Sequence, residues 1–162
     1  YKEIPLTQGK VALVDIEDYD YLNQFKWRVC QSHSNLYALR HIKINKKQTT
    51  MKMHREIMKP LKNIEIDHKN KDGLDNRKDN LRTCTSAQNK MNRGRTSINI
   101  SGYKGVHWHK ENKKWRARIG INKKCINLGC YNEKKKAALA YNEAAKKYHG
   151  EFARLNIFGK EN

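Results

Sequence analysis

The segment from residue 64 to residue 92, IEIDHKNKDGLDNRKDNLRTCTSAQNKMN, restricts the fold more than any other part of the chain. A short strand-like run at its start ends on the pair Asp67-His68, and a long polar stretch separates this pair from a return strand, LRTC. A helix-like stretch that carries Asn89 follows. The order strand, loop, strand and helix predicts a ββα unit of about 30 residues. Because the unit has too few apolar side chains for a core of its own, we expect it to pack against the region that precedes it.

The same segment holds side chains that suit phosphodiester hydrolysis. That reaction needs a deprotonated water, a cation on the developing oxyanions and a frame that aligns the two. The Asp67 carboxylate is a hard oxygen ligand of the kind magnesium prefers. An imidazole such as His68 has an ordinary pKa of about 6.5, so much of it is a neutral base near pH 7. Adjacent side chains of a strand point to opposite sides, so we expect the strand to end or bend at this pair.

Plain loop chemistry is the competing interpretation, because Asn and Asp cap helices and form turns for local reasons. Two further asparagines lie near the expected positions, and we expect Asn76 to be a loop residue and Asn92 a helix-surface residue. His54, in MHREIM, could approach the site, but we expect a surface or packing role for it. The same expectation holds for His33, His41 and His149.

The segment resembles the HNH nuclease motif, in the Asp-His…Asn…Asn form of phage and intron-encoded homing endonucleases. Asn80 follows His68 by twelve residues and opens the tripeptide NLR, and Asn89 follows His68 by twenty-one. The resemblance implies a site-directed DNA endonuclease with Mg²⁺, or another divalent cation such as Mn²⁺, as its cofactor. It also implies the roles of four residues: Asp67 and Asn89 as metal ligands, His68 as general base, and Asn80 as a brace that holds His68 in place. Many family members have His where Asn89 stands, and a neutral amide oxygen is a weak ligand, so we expect loose metal binding.

The 162 residues suffice for one ordinary domain or two small ones, and the patterns predict an α+β chain. The first 60 residues contain strand-like runs and two short helix-like segments, which predict a small antiparallel sheet with one or two helices. The first 25 residues are acidic, so we expect the tightest DNA contact elsewhere. The predicted organisation is a nuclease domain at 1–92, with the ββα-metal motif at about 64–92, a basic linker at 93–101, a DNA-binding domain at 102–156 and a tail at 157–162.

Residues 102–156 predict three short strands and one helix. The strands are GYKGVHWHK, KWRARIGIN and CINLGCY, and Asn132 is the expected cap of a helix over 133–148 that ends at Gly150. The strands place apolar residues on one parity to cover an apolar stripe of the helix. The strand positions are Val106, Trp108, Trp115, Ala117, Ile119, Ile126 and Leu128, and the stripe is Ala137, Tyr141, Ala144, Ala145 and Tyr148.

This region resembles the Apetala-type (ethylene-response-factor) DNA-binding domain along its whole length, through YKGV, KWRARI, LGCY, AALAYNEAAKKYHG and ARLN. The resemblance implies a sheet that lies in the major groove with the helix packed behind it. Histidines stand where the family has arginines and Asn127 replaces a tryptophan, so the family's DNA sequence does not carry over. A solvated strand face is the alternative for the alternating bases, and His107 with His109 could also chelate a metal. The family contact positions are Lys104, His107, His109, Arg116, Arg118, Asn127 and Tyr141.

The charge of the chain points to a polyanionic partner. Lys and Arg number 35 against 16 Asp and Glu, a formal net charge of +19, and nucleic acid is the simplest such partner. An anionic membrane surface is the rival, but no segment resembles a basic amphipathic surface helix and no run approaches the roughly 18 apolar residues of a membrane span. No secretory signal is recognised, and the four cysteines contain no C-x-x-C pair. These features predict reduced thiols in a cytoplasmic protein of a bacterial or phage-infected host cell. A zinc site that uses Cys125 and Cys130 is the alternative.

The sequence therefore predicts a homing-type endonuclease that acts as a monomer on double-stranded DNA and has no small-molecule substrate. A non-catalytic DNA-binding regulator with a relic HNH fold is the chief alternative. A basic protein that coats RNA or the nucleoid is the third possibility, and it would need charge without a metal constellation.

Overall fold

The structure, a computed structural model, describes residues 1–32, 35–94 and 98–158, so His33 lies outside the described residues, as do parts of the predicted linker and tail. Within these ranges the chain is an α+β protein with two two-stranded and two three-stranded antiparallel sheets. This confirms the predicted fold class. The chain divides into two compact units, Tyr1–Asn89 and Lys90–Asn162.

The first unit begins with a small sheet and two short helices, as the strand-like runs predicted. A two-residue turn at Asn45 and Lys46, both with positive φ, joins the second and third strands of its three-stranded sheet, in agreement with the twist that such hairpins require. The second helix stops at Lys59 in the left-handed region, directly before Pro60. The elements are β1 (Lys2–Pro5), β2 (Val11–Val14), α1 (Ile16–Leu22), β3 (Arg28–Ser32), β4 (Asn35–Ile44), β5 (Lys47–Lys52) and α2 (Met53–Met58).

The ββα unit consists of β6 (Glu65–His68), β7 (Leu81–Cys84) and α3 (Ser86–Asn92), and β6 pairs antiparallel with β7. The helix begins with a reciprocal cap, in which the Thr85 hydroxyl accepts from the Gln88 N–H and the Gln88 side chain accepts from the Thr85 N–H. The strand ends at the Asp67-His68 pair, as expected, since His68 pairs with Leu81 and is the last residue of β6.

The long loop between β6 and β7 packs on the preceding region, as expected for a unit without its own core. Leu13 donates a backbone hydrogen bond to Leu74 and accepts one from Asn76, at 2.9 and 2.8 Å. The Leu74 side chain joins the apolar core of the first unit, which is built on Ile4, Ala12, Val14, Leu22, Trp27, Ala38 and Met53. The loop is therefore fixed by the same core that holds β1 and β2 together.

The second unit contains the three strands and the helix that the sequence predicts: β8 (Val106–His109), β9 (Lys114–Ile121), β10 (Lys124–Tyr131) and α4 (Lys134–His149). The strand order is β10-β9-β8, so β9 is central. Asn132 is not the helix cap, because the helix begins after Glu133, which makes no side-chain capping bond. Gly150 follows the last helical residue with a φ of 53°, as predicted for a C-terminal glycine.

The helix packs on one face of the sheet through a core of small residues. The buried positions are Val106, Ala117, Ile119, Ala137, Ala138, Tyr141, Ala144 and Ala145. Three predicted core residues lie outside it, since Trp108, Ile126 and Tyr148 are 42, 41 and 46% exposed. The pairing of β10 with β9 shifts between Asn127 and Gly129, and such an irregularity re-aims the side chains of a strand.

Tyr141 corrects another expectation. Its side chain is only 2% exposed and packs in the core, where Gly105 leaves room for the ring. A Cβ added at Gly105 would lie 2.0 Å from a Tyr141 ring carbon, and the φ of 77° at this glycine favours the absence of a side chain. The proposed DNA contact by Tyr141 is therefore wrong, because its side chain faces the core.

Among the described residues, no helix is both long enough and apolar enough to cross a membrane. All four cysteines are free thiols, and Cys84, the last residue of β7, is buried. Burial raises the pKa of the Cys84 thiol to about 11, so this thiol stays protonated at neutral pH.

Candidate active site

The Asp67 carboxylate is buried, and the residue lies next to the last residue of β6. Its Oδ2 accepts hydrogen bonds from Arg82 Nε and Nη2, at 2.9 and 2.7 Å, and Arg82 is its register partner on β7. The guanidinium offsets the cost of placing the charged carboxylate away from water. Arg82 is the last residue of the NLR tripeptide, and no role was predicted for its side chain.

Asn89 projects from α3 onto the hairpin and contacts Glu65. Its Nδ2 donates to Glu65 Oε2 at 2.6 Å. A carboxylate can only accept, so this bond requires the amide nitrogen to face Glu65 and the Asn89 oxygen to point elsewhere. Glu65 precedes Asp67 by two residues and therefore shares its face of the strand. Glu65 is not among the predicted site residues, although the period-two spacing of the two acids is visible in the sequence.

These side chains fit a hard divalent cation. Carboxylate and amide oxygens are the ligands that Mg²⁺ and Mn²⁺ accept in proteins, and the bond to Glu65 leaves the oxygen of Asn89 as its available end. In the described part of the chain, no cluster of three or more His, Cys, Asp or Glu side chains has metal-binding geometry. The candidate ligands Asp67 and Asn89 are a different kind of set, because one is a carboxylate and the other is an amide.

His68 is the last residue of β6 and is also buried. Its ring centroid lies 5.0 Å from that of His54 and 5.8 Å from that of Tyr37. Burial lowers the pKa of His68, and this effect outweighs the Asn76 side chain and the nearby carboxylates, which raise it. His68 is therefore held in the neutral form that a general base needs.

Asn80 is buried and braces the loop that follows His68. Its Oδ1 accepts from the Asn70 N–H at 3.0 Å, and its Nδ2 donates to the Asp75 carbonyl at 2.7 Å. Its own carbonyl accepts from the Lys69 N–H at 2.9 Å. The side chain thus joins both ends of the polar loop and fixes the backbone next to the histidine.

Within the loop, several polar residues behave as the turn interpretation expected. The Asp72 N–H donates to Asn70 Oδ1, and the Leu74 N–H donates to Asp72 Oδ1, at 2.8 and 2.9 Å. Asp75 is buried and bound by Arg77 through Nε and Nη2, both at 2.7 Å. The Arg77 guanidinium holds the pKa of Asp75 below its usual range, so this carboxylate stays charged.

One expectation for a residue near the motif is wrong, because Asn92 is buried instead of lying on the helix surface. Asn76 is a loop residue, as expected, but it is only 1% exposed and lies beside His68, so it is also part of the site. His54 has the expected packing role, and the ring on which it packs is that of His68. His41 is exposed and His149 packs with its Nε2 2.9 Å from the Gly120 carbonyl, as expected.

In the second unit, four of the predicted DNA contacts lie together on the sheet face opposite α4. Arg116 is paired with His107 on β8, and Arg118 is paired with Asn127 on β10. Burial and the two arginines lower the pKa of His107, so its imidazole is neutral at pH 7. The Nε atoms of Arg116 and Arg118 are buried without a hydrogen-bond partner among the described residues.

The other predicted contacts lie apart from this cluster. His109 is at the end of β8, where its Nδ1 accepts from the Asn112 N–H at 3.3 Å. Lys104 precedes β8, and its ammonium donates to the carbonyls of Met91 and Arg93. Tyr141 belongs to the core.

The stability of the first unit should depend on the protonation of His54. Burial, together with nearby His68 and two basic residues, lowers the pKa of His54 to about 3. An unfolded His54 binds its proton near pH 6.5, so acidification favours the unfolded state between about pH 6.5 and about pH 3. From about pH 7 to about pH 5, His54 should lower the free energy of unfolding by about 2 kcal/mol. Urea unfolding of the parent and of His54→Phe at both pH values measures this difference, and an equal loss in both proteins would contradict it.

Comparison with known proteins agrees with this geometry. Residues 59–91 match the HNH endonuclease family, which indicates a DNA endonuclease, and HNH nucleases generally use a divalent metal. The chain belongs to the family of Protein 3.8 of Escherichia phage T7. The two are 32% identical over 90 residues, which cover 56% of this chain and 74% of that protein.

The chain is also similar to plant transcription factors over short stretches. It is 44% identical over 63 residues to the ethylene-responsive transcription factor WRI1 of Arabidopsis thaliana, which is 38% of this chain and 15% of that protein. It is 43% identical over 56 residues to an AP2-like ethylene-responsive transcription factor of the same plant, or 33% of this chain and 16% of that protein. The chain thus spans about a sixth of the length of these relatives.

Proposed function

We propose that this protein is a site-directed DNA endonuclease of the homing type, which hydrolyses phosphodiester bonds with one divalent metal ion, Mg²⁺ or another such as Mn²⁺. The observation that carries the proposal is the arrangement of the ββα unit. Asp67 and the buried, neutral His68 are adjacent on one strand, and Asn89 reaches the same hairpin from the helix. Double-stranded DNA is the substrate, and the protein acts as a monomer in the cytoplasm of a bacterial or phage-infected host cell.

Each side chain has a role that follows from its surroundings. His68 takes the proton of the attacking water, since its pKa is lowered and its ring is held by neighbours. Asn80 keeps the loop behind this histidine in place. Asp67 and Asn89 hold the metal, which when bound stabilises negative charge on the phosphate oxygens. Glu65 orients the amide of Asn89 so that its oxygen is available.

Residues 102–156 target the nuclease domain at 1–92 to chosen DNA sites, through the linker at 93–101. The cluster of Arg116 and Arg118 with His107 and Asn127 supports this role, because it brings two guanidinium groups, an imidazole and an amide together on the sheet face opposite α4. Guanidinium groups on such a face can bind phosphate oxygens or the edges of guanine. The domain raises the local concentration of substrate at the nuclease site, so a weak catalytic module can act at chosen sites. Lys104 and His109 remain proposed contacts at the margin of this face.

A non-catalytic DNA-binding regulator with a relic HNH fold is the second candidate. One observation favours it: Arg82 binds the carboxylate of Asp67 with two nitrogens, and this bound cation competes with a metal for the same oxygen. The two candidates differ in what Mg²⁺ does to the protein and to DNA.

Metal-dependent cleavage of supercoiled plasmid separates the candidates. With Mg²⁺, the parent should convert supercoiled plasmid to open-circular or linear DNA, and a chelator should stop the reaction. Mn²⁺ binding, followed by electron paramagnetic resonance without DNA, should weaken at least about 10-fold in Asp67→Asn, which keeps the shape but loses the charge. Asp79→Asn, a change of an exposed acid of the same segment, is the matched control. Intact plasmid together with undetectable Mn²⁺ binding would favour the relic regulator.

A further inference from the structure

The proposed general base, His68, belongs to a cluster of three rings. Tyr37 comes from β4, His54 from α2 and His68 from β6, so three separate elements contribute one ring each. The centroid of His54 lies 5.0 Å from that of His68, at an interplanar angle of 78°, and 5.9 Å from that of Tyr37, at 75°. Tyr37 is tilted against His68 at 5.8 Å. Edge-to-face contacts of this kind restrict the rotation of each ring.

The position of Tyr37 is itself fixed by the loop of the site. A Cβ added at Gly73 would lie 2.7 Å from two Tyr37 ring carbons and 2.3 Å from the Leu36 carbonyl. The loop backbone therefore presses directly on β4, which only a glycine permits. The Lys52 ammonium lies 5.0 Å from the Tyr37 ring centroid. Contacts from both the sheet and the loop thus hold Tyr37 in position.

His54 fills this position as a neutral ring. It is buried, and the charged or titratable groups that act on it are His68, Lys52 and Arg55, with no carboxylate among them. Burial and these groups lower the pKa of His54 to about 3. A neutral imidazole packs against another neutral imidazole without charge repulsion, which suits the close contact of the two rings.

We infer that His54 is a positioning residue for His68: its ring packs edge-on against the His68 imidazole and holds it in the orientation in which it accepts a proton. The inference rests on the proposed function, because it assigns His68 the role of general base. His54 acts through His68 and does not itself touch the reacting atoms. Misplacement of a catalytic group by about 1 Å lowers a rate by about 10²-fold, which sets the scale of the effect.

The shape of the ring, and not its nitrogen atoms, should matter. His54→Ala removes the ring and should lower kcat by about 10- to 100-fold with KM unchanged, because the substrate does not contact this residue. His54→Phe keeps a flat ring of similar size and should retain kcat within about 3-fold of the parent. His41→Ala, at an exposed histidine of β4, is the matched control and should cleave like the parent.

Single-turnover cleavage of supercoiled plasmid with Mg²⁺, together with DNA affinity and thermal unfolding of each variant, provides the test. A folded His54→Ala that cleaves like the parent would overturn the inference, as would a folded His54→Phe as slow as His54→Ala, since that would require the ring nitrogens. If His54→Ala does not fold, His54→Leu fills the same space without a flat ring and should show the same loss of kcat. Full activity of His54→Leu would then overturn the inference.

Failure of the proposed function would look different. If the parent and His41→Ala both leave the plasmid intact with Mg²⁺ and Mn²⁺, the protein is not a nuclease, and the inference about His54 falls with that result. If both cleave and only the His54 variants depart from expectation, the proposed function stands and the positioning role alone is rejected.

Discussion

His68→Ala is expected to lower the rate of DNA cleavage by about 10²- to 10⁴-fold while DNA affinity stays nearly unchanged. The physical reason is that a general base acts on the proton of the attacking water and contributes little to ground-state binding. His68 is buried among rings, so its removal should cost few contacts with DNA phosphates. Plasmid cleavage and a fluorescence-based DNA affinity, measured on the same preparations, check both parts.

His41→Ala is the control for this experiment, because it removes an exposed histidine of the same unit. Thermal unfolding must accompany it, since removal of a buried ring leaves a cavity that destabilises the first unit. Asp67→Ala should also abolish cleavage and weaken the dependence on metal. A folded His68→Ala protein that cuts as fast as the parent would show that the HNH assignment of this residue is wrong.

Much of the ββα unit was predictable because its signals are local. The two strands, the polar loop and the helix follow from hydrophobic pattern and turn residues over about 30 positions. The need for support from the preceding region followed from the scarcity of apolar side chains. The turn pattern at Asn70 and Asp72 is also local, and the structure contains it.

The partners of His68 were not predictable in the same way. His54 lies fourteen residues earlier and Tyr37 thirty-one residues earlier in the chain, and they meet His68 only because β4, α2 and β6 pack together. The hydrophobic pattern of a single sequence relates positions within one helix or strand. It does not show which residues of three separate elements come into contact. Asn76 was dismissed for a related reason, since a polar loop residue is normally exposed and this one is buried by the contacts between its loop and Leu13.

The errors in the second unit come from the geometry of the sheet. Alternation predicted that Trp108 and Ile126 face the helix, but α4 covers only part of that face and leaves both side chains exposed. The family resemblance predicted that Tyr141 contacts DNA, whereas the apolar stripe of the helix predicted that Tyr141 lies in the core. The structure supports the stripe, because the buried face of a helix is decided by packing against its own sheet.

The ion pair of Asp67 with Arg82 has a consequence for how the site would bind a cation. A metal must compete with a guanidinium that already offsets the buried charge, so binding is coupled to displacement or sharing of Arg82. The negative charge of Glu65, held on the same hairpin face by Asn89, partly compensates for this competition. Weak metal affinity therefore stays the expectation for a site with an amide ligand in place of His.

The sheet face of the second unit should carry the sequence preference of the protein, and Arg116→Ala combined with Arg118→Ala should remove it. Both arginines lie on β9, the central strand, on the face opposite α4, where neighbouring strands present His107 and Asn127. A guanidinium can bind the O6 and N7 edge of guanine with two hydrogen bonds, which is worth about 1–3 kcal/mol of discrimination. Loss of a phosphate contact instead weakens all sequences alike.

Selection from random duplexes, with full-length protein, distinguishes base readout from phosphate binding. The parent should enrich a subset of sequences, and the double arginine variant should recover all sequences with weaker affinity. Lys146→Ala combined with Lys147→Ala is the matched control, because it removes the same charge from exposed positions of α4, the helix behind the sheet. It should leave the enriched subset unchanged. Equal recovery of all sequences by the parent would contradict the prediction and would make the second unit an electrostatic clamp. An enriched subset that persists in the double arginine variant would also contradict it, and would assign specificity to the linker at 93–101 or to the nuclease domain.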